Sequence, residues 1–460
     1  MAQTIAILDP VSRVEGHLRL KITISSGRVA SAHAQGTMYR GFENLLKGKA
    51  PDDARILTQR ICGVCPASHG LAAADAIERM RGISLPANAL VLRDLLLGAE
   101  FLHSHILHFY HLCIPDFIRM PASSPWGVGY GGDRRLSSEE EAEIYRHALE
   151  AFQHRRSAHT IGALVGGRMP HATGIALGGM SAALSPAASE TIANLLAELE
   201  TFVQGKMVPD AKKIASVYKD YFSIGRGTGD FLCFGAFPDP GSGTLLFRKG
   251  FRSIVPGHPT LPAPLQMDKV TESIAFSWYR GSGAPQSPLQ GTTVPDPEKE
   301  NGYSWIKAPR YMGKVCEVGP FARLAVLGLV KTNSSVMGRI LARVAETALL
   351  IQAMKKWLDQ YQFEGPFRVP TAAPASGTSI GLGEAPRGSL AHYVTLAGGA
   401  IDKYQIVTPT SWNCSPRDER GVPGIAEKAA AGTPITNEQE PVEVLRVLHS
   451  FDPCMACSVH

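Results

Sequence analysis

Apolar residues follow two different spacings along the chain, and each spacing predicts a different element. In segment 19–24 apolar and polar residues alternate, and after a Ser-Ser-Gly turn segment 28–30 is again strand-like, which predicts an N-terminal β-hairpin. From about Asn88 apolar residues recur at steps of three and four. This spacing predicts a long helix whose apolar stripe is formed by Leu92, Leu95, Ala99, Leu102, Ile106 and Phe109.

Helical patterns return later, at residues 139–159, 187–218, 335–361 and 442–449. One face of the helix predicted over 335–361 carries Val336, Ile340, Val344 and Ile351. Segment 225–319 is rich in glycine and proline, which predicts short strands and loops, and loops are expected again after Pro366. The pattern therefore predicts a mainly α fold with small β elements (α+β), long central helices and a single domain over residues 1–460.

The charge of the chain is mildly positive and evenly spread. The chain has 46 lysines and arginines against 41 acidic residues, with no dense basic block, so we expect no nucleic-acid partner. Charge or glycine interrupts each apolar stretch before the roughly 20 residues that a membrane span needs, so we expect no transmembrane segment. The first residues lack the basic and apolar regions of a signal peptide, and we expect none here.

The cysteines supply the clearest chemical signal. Eight cysteines are too few for a disulfide scaffold in a chain of 460 residues. Four of them form two Cys-x-x-Cys pairs near the ends of the chain, Cys62 with Cys65 and Cys454 with Cys457. The other four are isolated and are expected to be buried as small apolar residues: Cys113, Cys233, Cys316 and Cys414.

Two pairs of thiolates are a natural ligand set for a soft metal. A structural four-cysteine zinc site is one interpretation, although zinc ribbons usually place their pairs about 15–20 residues apart. Spacing alone leaves zinc and a catalytic or redox metal equally open. The flanking residues favour a reactive site, because charges and hydrogen-bond donors around the ligands tune a metal and move protons; they are Arg60, His69, Asp452 and His460.

The motifs around the two pairs resemble the signatures of [NiFe] hydrogenase large subunits. They are Arg-x-Cys-Gly-x-Cys-x-x-x-His at residues 60–69 and Asp-Pro-Cys-x-x-Cys-x-x-His at residues 452–460. Further blocks are similar to the same family, with Arg168 where the family has lysine; they span residues 12–17, 40–43, 166–171, 384–388 and 407–413. The resemblance covers residues 9–460 but includes no motif in the loops at 225–319.

The resemblance implies a nickel–iron centre that splits hydrogen. All four cysteines would bind nickel, Cys62 and Cys454 as terminal ligands, and Cys65 and Cys457 as bridges to an iron that carries cyanide and carbon monoxide. The implied activity is the reversible oxidation of hydrogen to two protons and two electrons. The bond would break heterolytically, and a thiolate or a nearby base would take the proton.

The resemblance also implies roles for residues around the metals. Arg387 would lie above the metals, where its permanent charge suits an electrostatic or positioning role. Pro386 and Thr410 would line the pocket around the cyanides. His69 would hydrogen-bond a bridging sulfur, and Asp452 would pair with the arginine region or cap the adjacent turn.

Two carboxylates have further implied roles. Glu15 matches the glutamate that passes the proton from the terminal cysteine, here Cys454, towards the surface. Glu43 and His460 resemble the ligands of a second, structural ion, which is usually magnesium in the family. Carboxylate oxygen suits magnesium whereas histidine suits iron better, so the identity of this ion stays open between Mg²⁺ and iron.

A histidine-rich segment bears on the branch of the family. Segment 103–111 resembles a family block, but Ser104 stands where the periplasmic enzymes have aspartate. This difference resembles the cytoplasmic uptake and sensor branch, so we expect a cytoplasmic location, with any membrane contact made through partners. A hydrogen-sensing regulatory protein is the alternative function. Val64 and Leu112 favour the enzyme, because sensors tend to carry bulkier residues at the matching positions of the gas channel.

The cysteine count also implies a partner. Electrons must leave through iron–sulfur clusters, and with four cysteines committed to nickel this chain has no cluster motif. We therefore expect an iron–sulfur small subunit in a heterodimer or higher oligomer, with hydrogen as the substrate. Two rival classes stay open: a quinone-reaction subunit of respiratory complex I, which shares the fold but has lost the cysteine pairs, and a zinc-stabilised structural protein.

Overall fold

Long helices form the centre of the fold. The computed structural model describes residues 3–121, 123, 132–255, 258–372 and 376–460. The long helices are α1 (Pro66–Met80), α2 (Ala87–Leu107), α3 (Ser138–Gly166), α4 (Pro186–Phe202) and α5 (Val336–Asp359). Helix α2 is buried on almost every side and packs against α3 and α5, while α4 packs against both α3 and α5. The predicted central helices are therefore confirmed, and the predicted stripe of α2 is wholly buried.

Serine side chains determine where three of these helices begin. Ser137, Ser185 and Ser335 precede α3, α4 and α5, and each accepts a hydrogen bond from the backbone N–H three residues later. Such a cap satisfies one of the N–H groups that the first helical turn leaves unpaired. Shorter α-helices lie at Phe42–Leu45, Ala54–Leu57, Val208–Val217, Pro320–Val326, Pro409–Asn413, Ile425–Ala430, Val442–Ser450 and Met455–Ser458.

Several helical segments have a tighter or wider winding than the α-helix. Helix α2 continues into a π-helical segment, and a second one joins α4 to the helix at Val208–Val217, so the predicted helix over 187–218 is nearly continuous; the two segments are His108–Cys113 and Val203–Met207. The 3₁₀ turns are Pro51–Asp53, Thr58–Ile61, Ile114–Asp116, Lys219–Phe222 and Met267–Lys269.

The predicted N-terminal hairpin is present within a three-stranded antiparallel sheet. Its strands are Gln3–Leu8, Leu18–Ser25 and Arg28–Gly36, in that spatial order. Ser26 and Gly27 connect the second and third strands with positive φ angles of 53° and 68°, as a tight hairpin turn requires. The first strand was not predicted; its Ile5 and Ile7 are 59% and 58% exposed, while Ala6 and Leu8 pack against the core, so backbone pairing and the burial of one face hold this edge strand.

The region after Pro366, expected to be rich in loops, contains a sheet that was not predicted. Three long antiparallel strands occupy much of it, at Gly377–Ala385, Gly388–Ala397 and Ala400–Val407, and we call them the C-terminal sheet. The first of these strands packs directly on α1. A Cβ atom on Gly381 would lie 1.9 Å from the backbone oxygen of Ala72, so glycine here permits close packing of strand and helix. The same glycines made the segment resemble a loop.

The glycine- and proline-rich segment 225–319 contains the short strands that were predicted. They lie at Asp230–Cys233, Ala236–Pro238, Leu245–Phe247, Gly250–Val255, His258–Pro259, Val270–Ser273 and Ala308–Tyr311. Two more short strands, Ile175–Ala176 and Gly179–Met180, follow α3. The described structure thus matches the predicted class, helical with small β elements.

The two ends of the chain meet in the core. One buried apolar cluster includes Val11, Val459 and the cysteines of both pairs. Glu15 forms a parallel β-bridge with Cys454, and the backbone N–H of Arg40 donates to the carbonyl of Val459 over 3.0 Å. The single domain over residues 1–460 stays a prediction that this shared core supports. In the described part of the chain, no helix is both long and apolar enough to span a membrane.

Candidate metal centre

Four cysteine side chains meet inside the protein. The Sγ atoms of Cys62, Cys65, Cys454 and Cys457 all lie within 4.8 Å of one another, and all four residues are buried. The shortest separations are 2.9 Å between Cys454 and Cys457 and 3.2 Å between Cys65 and Cys457. None of the four is in a disulfide. Among the described residues this is the one group of three or more histidine, cysteine or acidic side chains with the spacing to hold a metal.

Local structure holds each pair in place. Cys62 follows the 3₁₀ turn at Thr58–Ile61, and Cys65 immediately precedes α1. Cys454 immediately precedes the last short helix, which contains Cys457. A Cβ atom on Gly16, which has φ +80°, would lie 2.9 Å from the backbone nitrogen of Ala456, so glycine lets the N-terminal segment approach the second pair closely.

The electrostatics of the four thiols fit a bound cation. Hydrogen bonds from the neighbouring thiols lower the pKa of Cys62, whereas burial raises the pKa of Cys454 and of Cys457. Four buried thiolates without a cation would repel one another, and a soft metal both neutralises and binds them. The residues present therefore fit a thiolate-bound soft metal.

Arg387 lies beside the cluster on a two-residue turn. Ala385 and Gly388 are paired ends of two adjacent strands in the C-terminal sheet, and buried Pro386 and Arg387 connect them. Burial lowers the pKa of the Arg387 guanidinium, but Asp452 and the thiolates outweigh this effect and hold it well above its ordinary value. Its Nε and Nη1 are buried without a hydrogen-bond partner among the described atoms.

Asp452 and Thr410 support the second cysteine pair. Oδ1 of Asp452 lies 3.1 Å from Nη2 of Arg387, and Oδ2 lies 3.9 Å from Nη2 of Arg343. The predicted pairing of Asp452 with the arginine region is therefore present in the structure. The hydroxyl of Thr410 accepts a hydrogen bond of 2.9 Å from the backbone N–H of Cys454. Thr410 thus contacts the backbone of Cys454, one of the four cluster cysteines.

Glu15 contacts the predicted terminal ligand. Its Oε2 lies 3.1 Å from Sγ of Cys454 and accepts a second hydrogen bond of 3.0 Å from the backbone N–H of Ala456. Burial raises the pKa of Glu15, and the nearby Cys62 adds to the effect. The carboxylate is therefore placed to exchange a proton with the Cys454 sulfur.

His69 lies one helical turn after Cys65 and is buried. Its Nδ1 forms a hydrogen bond of 3.1 Å with Nε2 of His392. This leaves Nε2 of His69 as the nitrogen that could bond a sulfur, and the predicted bond to a bridging cysteine stays a prediction. Burial lowers the pKa of His69 to about 3, so the ring is neutral.

Glu43 and His460, the predicted ligands of a second ion, are brought together. Nε2 of His460 lies 3.2 Å from Oε1 of Glu43, while Nδ1 of His460 donates to the carbonyl of Cys457. Nε2 of His460 and Oε1 of Glu43 are thus close enough to be neighbouring ligands of one cation. The other oxygen of Glu43 is taken by the Lys307 ammonium, 2.8 Å away.

Several residues near these sites were missed. Lys307 had no local signal, because its contact with Glu43 joins positions 264 apart. Glu100 accepts hydrogen bonds from the backbone N–H groups of Ala67 and Ser68, at the start of α1 directly behind Cys65. Burial raises the pKa of Glu100 to about 8. A glutamate within the apolar helical pattern that begins near Asn88 was the signal that could have identified it.

The remaining cysteines and histidines lie outside the cluster. Cys113, Cys233, Cys316 and Cys414 are buried and unpaired, as predicted. The histidines of segment 103–111 mostly bond protein groups: His105 contacts Glu346 at 2.8 Å, His108 the carbonyl of His449 at 2.6 Å, and His111 the carbonyl of Ala148 at 2.8 Å.

Comparisons with known proteins agree with this site. A sequence profile of the nickel-dependent hydrogenase family matches residues 40–125, 121–334 and 327–460. The periplasmic [NiFeSe] hydrogenase large subunit of Desulfomicrobium baculatum is 34% identical, over 98% of this chain and 94% of that protein. The hydrogenase-2 large chain of Escherichia coli K12 is 32% identical, over 100% of this chain and 97% of its own length.

A solved structure extends the likeness to three dimensions. The Ni-Fe-Se hydrogenase of Desulfovibrio vulgaris Hildenborough superposes with a TM-score of 0.95 at 38% identity, covering 100% of both chains. The profile, the relatives and the superposition cover nearly the whole chain, and the four-cysteine cluster lies at the two ends where the signature motifs were found. The chain therefore belongs to the nickel-dependent hydrogenase family, as a large subunit.

Proposed function

We propose that this chain catalyses the reversible oxidation of hydrogen at a nickel–iron centre held by Cys62, Cys65, Cys454 and Cys457. The observation that carries the proposal is the meeting of four buried thiols from both ends of the chain, with the Glu15 carboxylate 3.1 Å from one of their sulfurs. A structural zinc site has no use for such a carboxylate, whereas a reaction that releases protons needs one.

The residues around the cluster fit a nickel–iron centre with cyanide and carbon monoxide on iron. When bound, this centre supplies an open metal position where hydrogen is polarised and split. The unpartnered Nε and Nη1 of Arg387 are donors that suit acceptor ligands such as cyanide. Pro386 fixes the turn that carries Arg387, and Asp452 orients its guanidinium. Thr410 holds the backbone of Cys454.

Cys454 and Glu15 are proposed to move the proton. The Cys454 thiolate is the base nearest to Glu15, and it takes the proton that heterolysis releases. Glu15 accepts this proton across 3.1 Å, and the N–H of Ala456 keeps its Oε2 in place. Transfer at this separation needs no water molecule inside the site.

Glu43 and His460 are proposed to hold the second ion, magnesium or iron. The support is the close approach of Oε1 of Glu43 and Nε2 of His460, which lie 3.2 Å apart. The Lys307 ammonium bonds the other oxygen of Glu43, and the backbone N–H of Ile406 donates to Oε1 over 2.9 Å and fixes its position. One carboxylate oxygen with water would suit magnesium, and the histidine nitrogen argues for iron.

Electrons are proposed to leave through an iron–sulfur small subunit. Four of the eight cysteines are committed to the metal cluster and the others are buried singly, so the described residues offer no second cluster site. Beside Glu15 lies a cavity of about 320 Å³ that opens to the surface, and its lining includes His17, Arg40, Arg60 and His171. The small subunit is proposed to dock over this opening.

An uptake enzyme is favoured over a hydrogen sensor. The small side chains of Val64 and Leu112 support this choice, because they leave more room for gas than isoleucine and phenylalanine would. The cytoplasmic location stays a prediction that rests on Ser104; a relative named above is periplasmic. Family membership and the intact cysteine pairs argue against a complex I subunit.

Elemental analysis combined with infrared spectroscopy tests the proposal. The purified protein should contain nickel and iron in about equal amounts and absorb in the region of metal-bound cyanide and carbon monoxide. Hydrogen should reduce a dye only when these bands are present. Zinc alone, with no such bands, would instead support the structural interpretation.

A further inference from the structure

His69 is one end of a buried chain of hydrogen bonds that also contains His392 and Tyr404. Nδ1 of His69 lies 3.1 Å from Nε2 of His392, and Nδ1 of His392 lies 2.7 Å from the hydroxyl of Tyr404. Each of these residues is at most 1% exposed. His392 and Tyr404 lie on adjacent strands of the C-terminal sheet, and the strand of His392 packs against α1, which carries His69.

Burial favours the neutral form of all three side chains. Burial lowers the pKa of His69 to about 3 and that of His392 well below its ordinary value, and it raises the pKa of Tyr404. Each side chain therefore carries one titratable proton. The two hydrogen bonds can run in only two directions: from Tyr404 towards His69, or from His69 towards Tyr404.

The hydroxyl of Tyr404 decides between the two directions. In the described structure its only hydrogen-bond partner is Nδ1 of His392. If the bonds ran towards Tyr404, its own buried proton would have no acceptor, and leaving a buried donor unpaired is unfavourable. Tyr404 therefore donates to Nδ1 of His392. Nε2–H of His392 then donates to Nδ1 of His69, and the proton of His69 lies on Nε2.

We propose that His392 and Tyr404 are positioning residues that hold His69 in the tautomer with its N–H on Nε2, the nitrogen free to donate to the cysteine cluster. Cys65 and His69 are four residues apart at the start of α1, a spacing that puts two side chains on one helical face. A hydrogen bond to a metal thiolate draws electron density from the metal. The inference rests on the proposed function, because the tautomer matters only beside a metal-bound sulfur.

Substitutions at His392 test the direction of the chain. His392→Gln preserves it, because a carboxamide oxygen can accept from Tyr404 while its N–H donates to His69. His392→Leu removes both groups and frees His69 to take the other tautomer. In the purified complex, His392→Leu should move the carbon monoxide and cyanide bands to lower wavenumber, because the sulfur then donates more electron density to iron. His392→Gln should restore the bands to the wild-type positions.

A second pair of variants distinguishes a specific effect of the hydrogen-bond chain from a general loss of packing. Tyr404→Phe removes only the hydroxyl and should shift the bands in the same direction by a smaller amount. Tyr393→Phe is the matched control, because Tyr393 is a buried tyrosine of the same sheet whose hydroxyl has no hydrogen-bond partner among the described atoms; its bands should not move.

Two results would overturn the inference alone: wild-type bands in both His392→Leu and Tyr404→Phe, or an equal shift in Tyr393→Phe. A wild-type protein without any such bands would overturn the proposed function, and the inference with it.

Discussion

The carboxylate of Glu15 lies 3.1 Å from the sulfur of Cys454, although 439 positions separate the two residues. The backbone reinforces the contact, because the N–H of Met455 donates to the Glu15 carbonyl over 2.7 Å. A titratable group is thus held against a buried sulfur by the same segments that bring the chain ends together. Substitution of Glu15 therefore tests how protons leave the site.

Glu15→Gln should separate hydrogen splitting from proton release. The glutamine oxygen can still accept from Ala456, so the metals should assemble and the conversion between the nuclear-spin isomers of hydrogen should persist. Exchange of deuterium gas with solvent protons should fall on the order of 10²-fold or more, the scale of a lost acid–base group. Dye reduction should fall with it. Both rates can be measured by mass spectrometry and absorbance on one sample.

The control for this experiment is Glu141→Gln, which changes a buried glutamate on α3 without touching the cluster. Its exchange rate should equal that of the wild type. Full metal content together with unchanged solvent exchange in Glu15→Gln would mean that the proton leaves by another route, for example through Arg387.

Cys457→Ser should abolish assembly of the nickel–iron centre. Cys457 lies closest to both Cys454 and Cys65, at 2.9 and 3.2 Å, and a hard hydroxyl is a poor bridge between soft metals. Nickel and iron content should fall to background, and hydrogen oxidation with them. Cys316→Ser, at a buried cysteine outside the cluster, should retain both metals. Normal hydrogen oxidation by Cys457→Ser would refute the ligand assignment.

Local motifs predicted the four cysteines that the structure brings together, whereas several contacts around them were not predicted. The cysteines and Glu15 lie in short sequence motifs that indicate their chemistry without knowledge of the fold. The central helices follow from the spacing of apolar residues. The contact of Lys307 with Glu43 and that of His392 with His69 depend on how distant segments pack. No local sequence pattern predicts such packing. The C-terminal sheet was missed because residues such as Gly381 serve close packing against α1, whereas glycine in a sequence usually indicates a turn.

Enlarging Val64 and Leu112 should slow the entry of gas. The N–H of Val64 donates to the sulfur of Cys62 over 3.2 Å, so this side chain lies at the edge of the cluster. Val64→Ile combined with Leu112→Phe should lower the rate of hydrogen oxidation and of inhibition by carbon monoxide severalfold, with unchanged metal content. The double variant Val208→Ile with Leu164→Phe makes the same size changes elsewhere and should behave as wild type.

The wild-type rate also separates enzyme from sensor. A slow turnover in the wild-type complex, together with binding of a histidine kinase, would show that the sensor alternative is right.

The chain expressed without a small subunit should fail to form a defined complex and should aggregate. A partner docked over the cavity beside Glu15 would cover Met38, which lines the cavity and is 41% exposed, and exposed apolar surface promotes aggregation when it is left uncovered. Light scattering should therefore detect large species for the chain alone and a defined complex when a small subunit is co-expressed. A stable monomer that oxidises hydrogen without a partner would contradict the need for a small subunit.

The last prediction concerns Glu427, a buried carboxyl remote in sequence from the metal ligands. Its Oε1 accepts hydrogen bonds from the N–H of Ala34 and the hydroxyl of Tyr303, both 2.9 Å away, while Oε2 has no partner among the described atoms. Burial raises the pKa of Glu427 to about 8, from an ordinary value of 4.5. Between these two values the folded protein keeps a proton that the unfolded chain releases.

The free energy of unfolding should therefore fall as the pH rises through this window, by about 1.4 kcal/mol per pH unit for one proton. Glu427→Gln keeps an oxygen that accepts from Ala34 and Tyr303 but carries no titratable proton. The free energy of unfolding of this variant should therefore lack this pH-dependent decrease. The thermal stability of the purified complex should be measured at pH 5.5 and pH 7.5. Relative to the wild type, the variant should be more stable at pH 7.5 than at pH 5.5. Glu140→Gln is the control: Lys213 lowers the pKa of exposed Glu140, so its contribution changes only at lower pH. A difference between Glu427→Gln and wild type that is equal at both pH values would mean that Glu427 is already ionised in the folded protein.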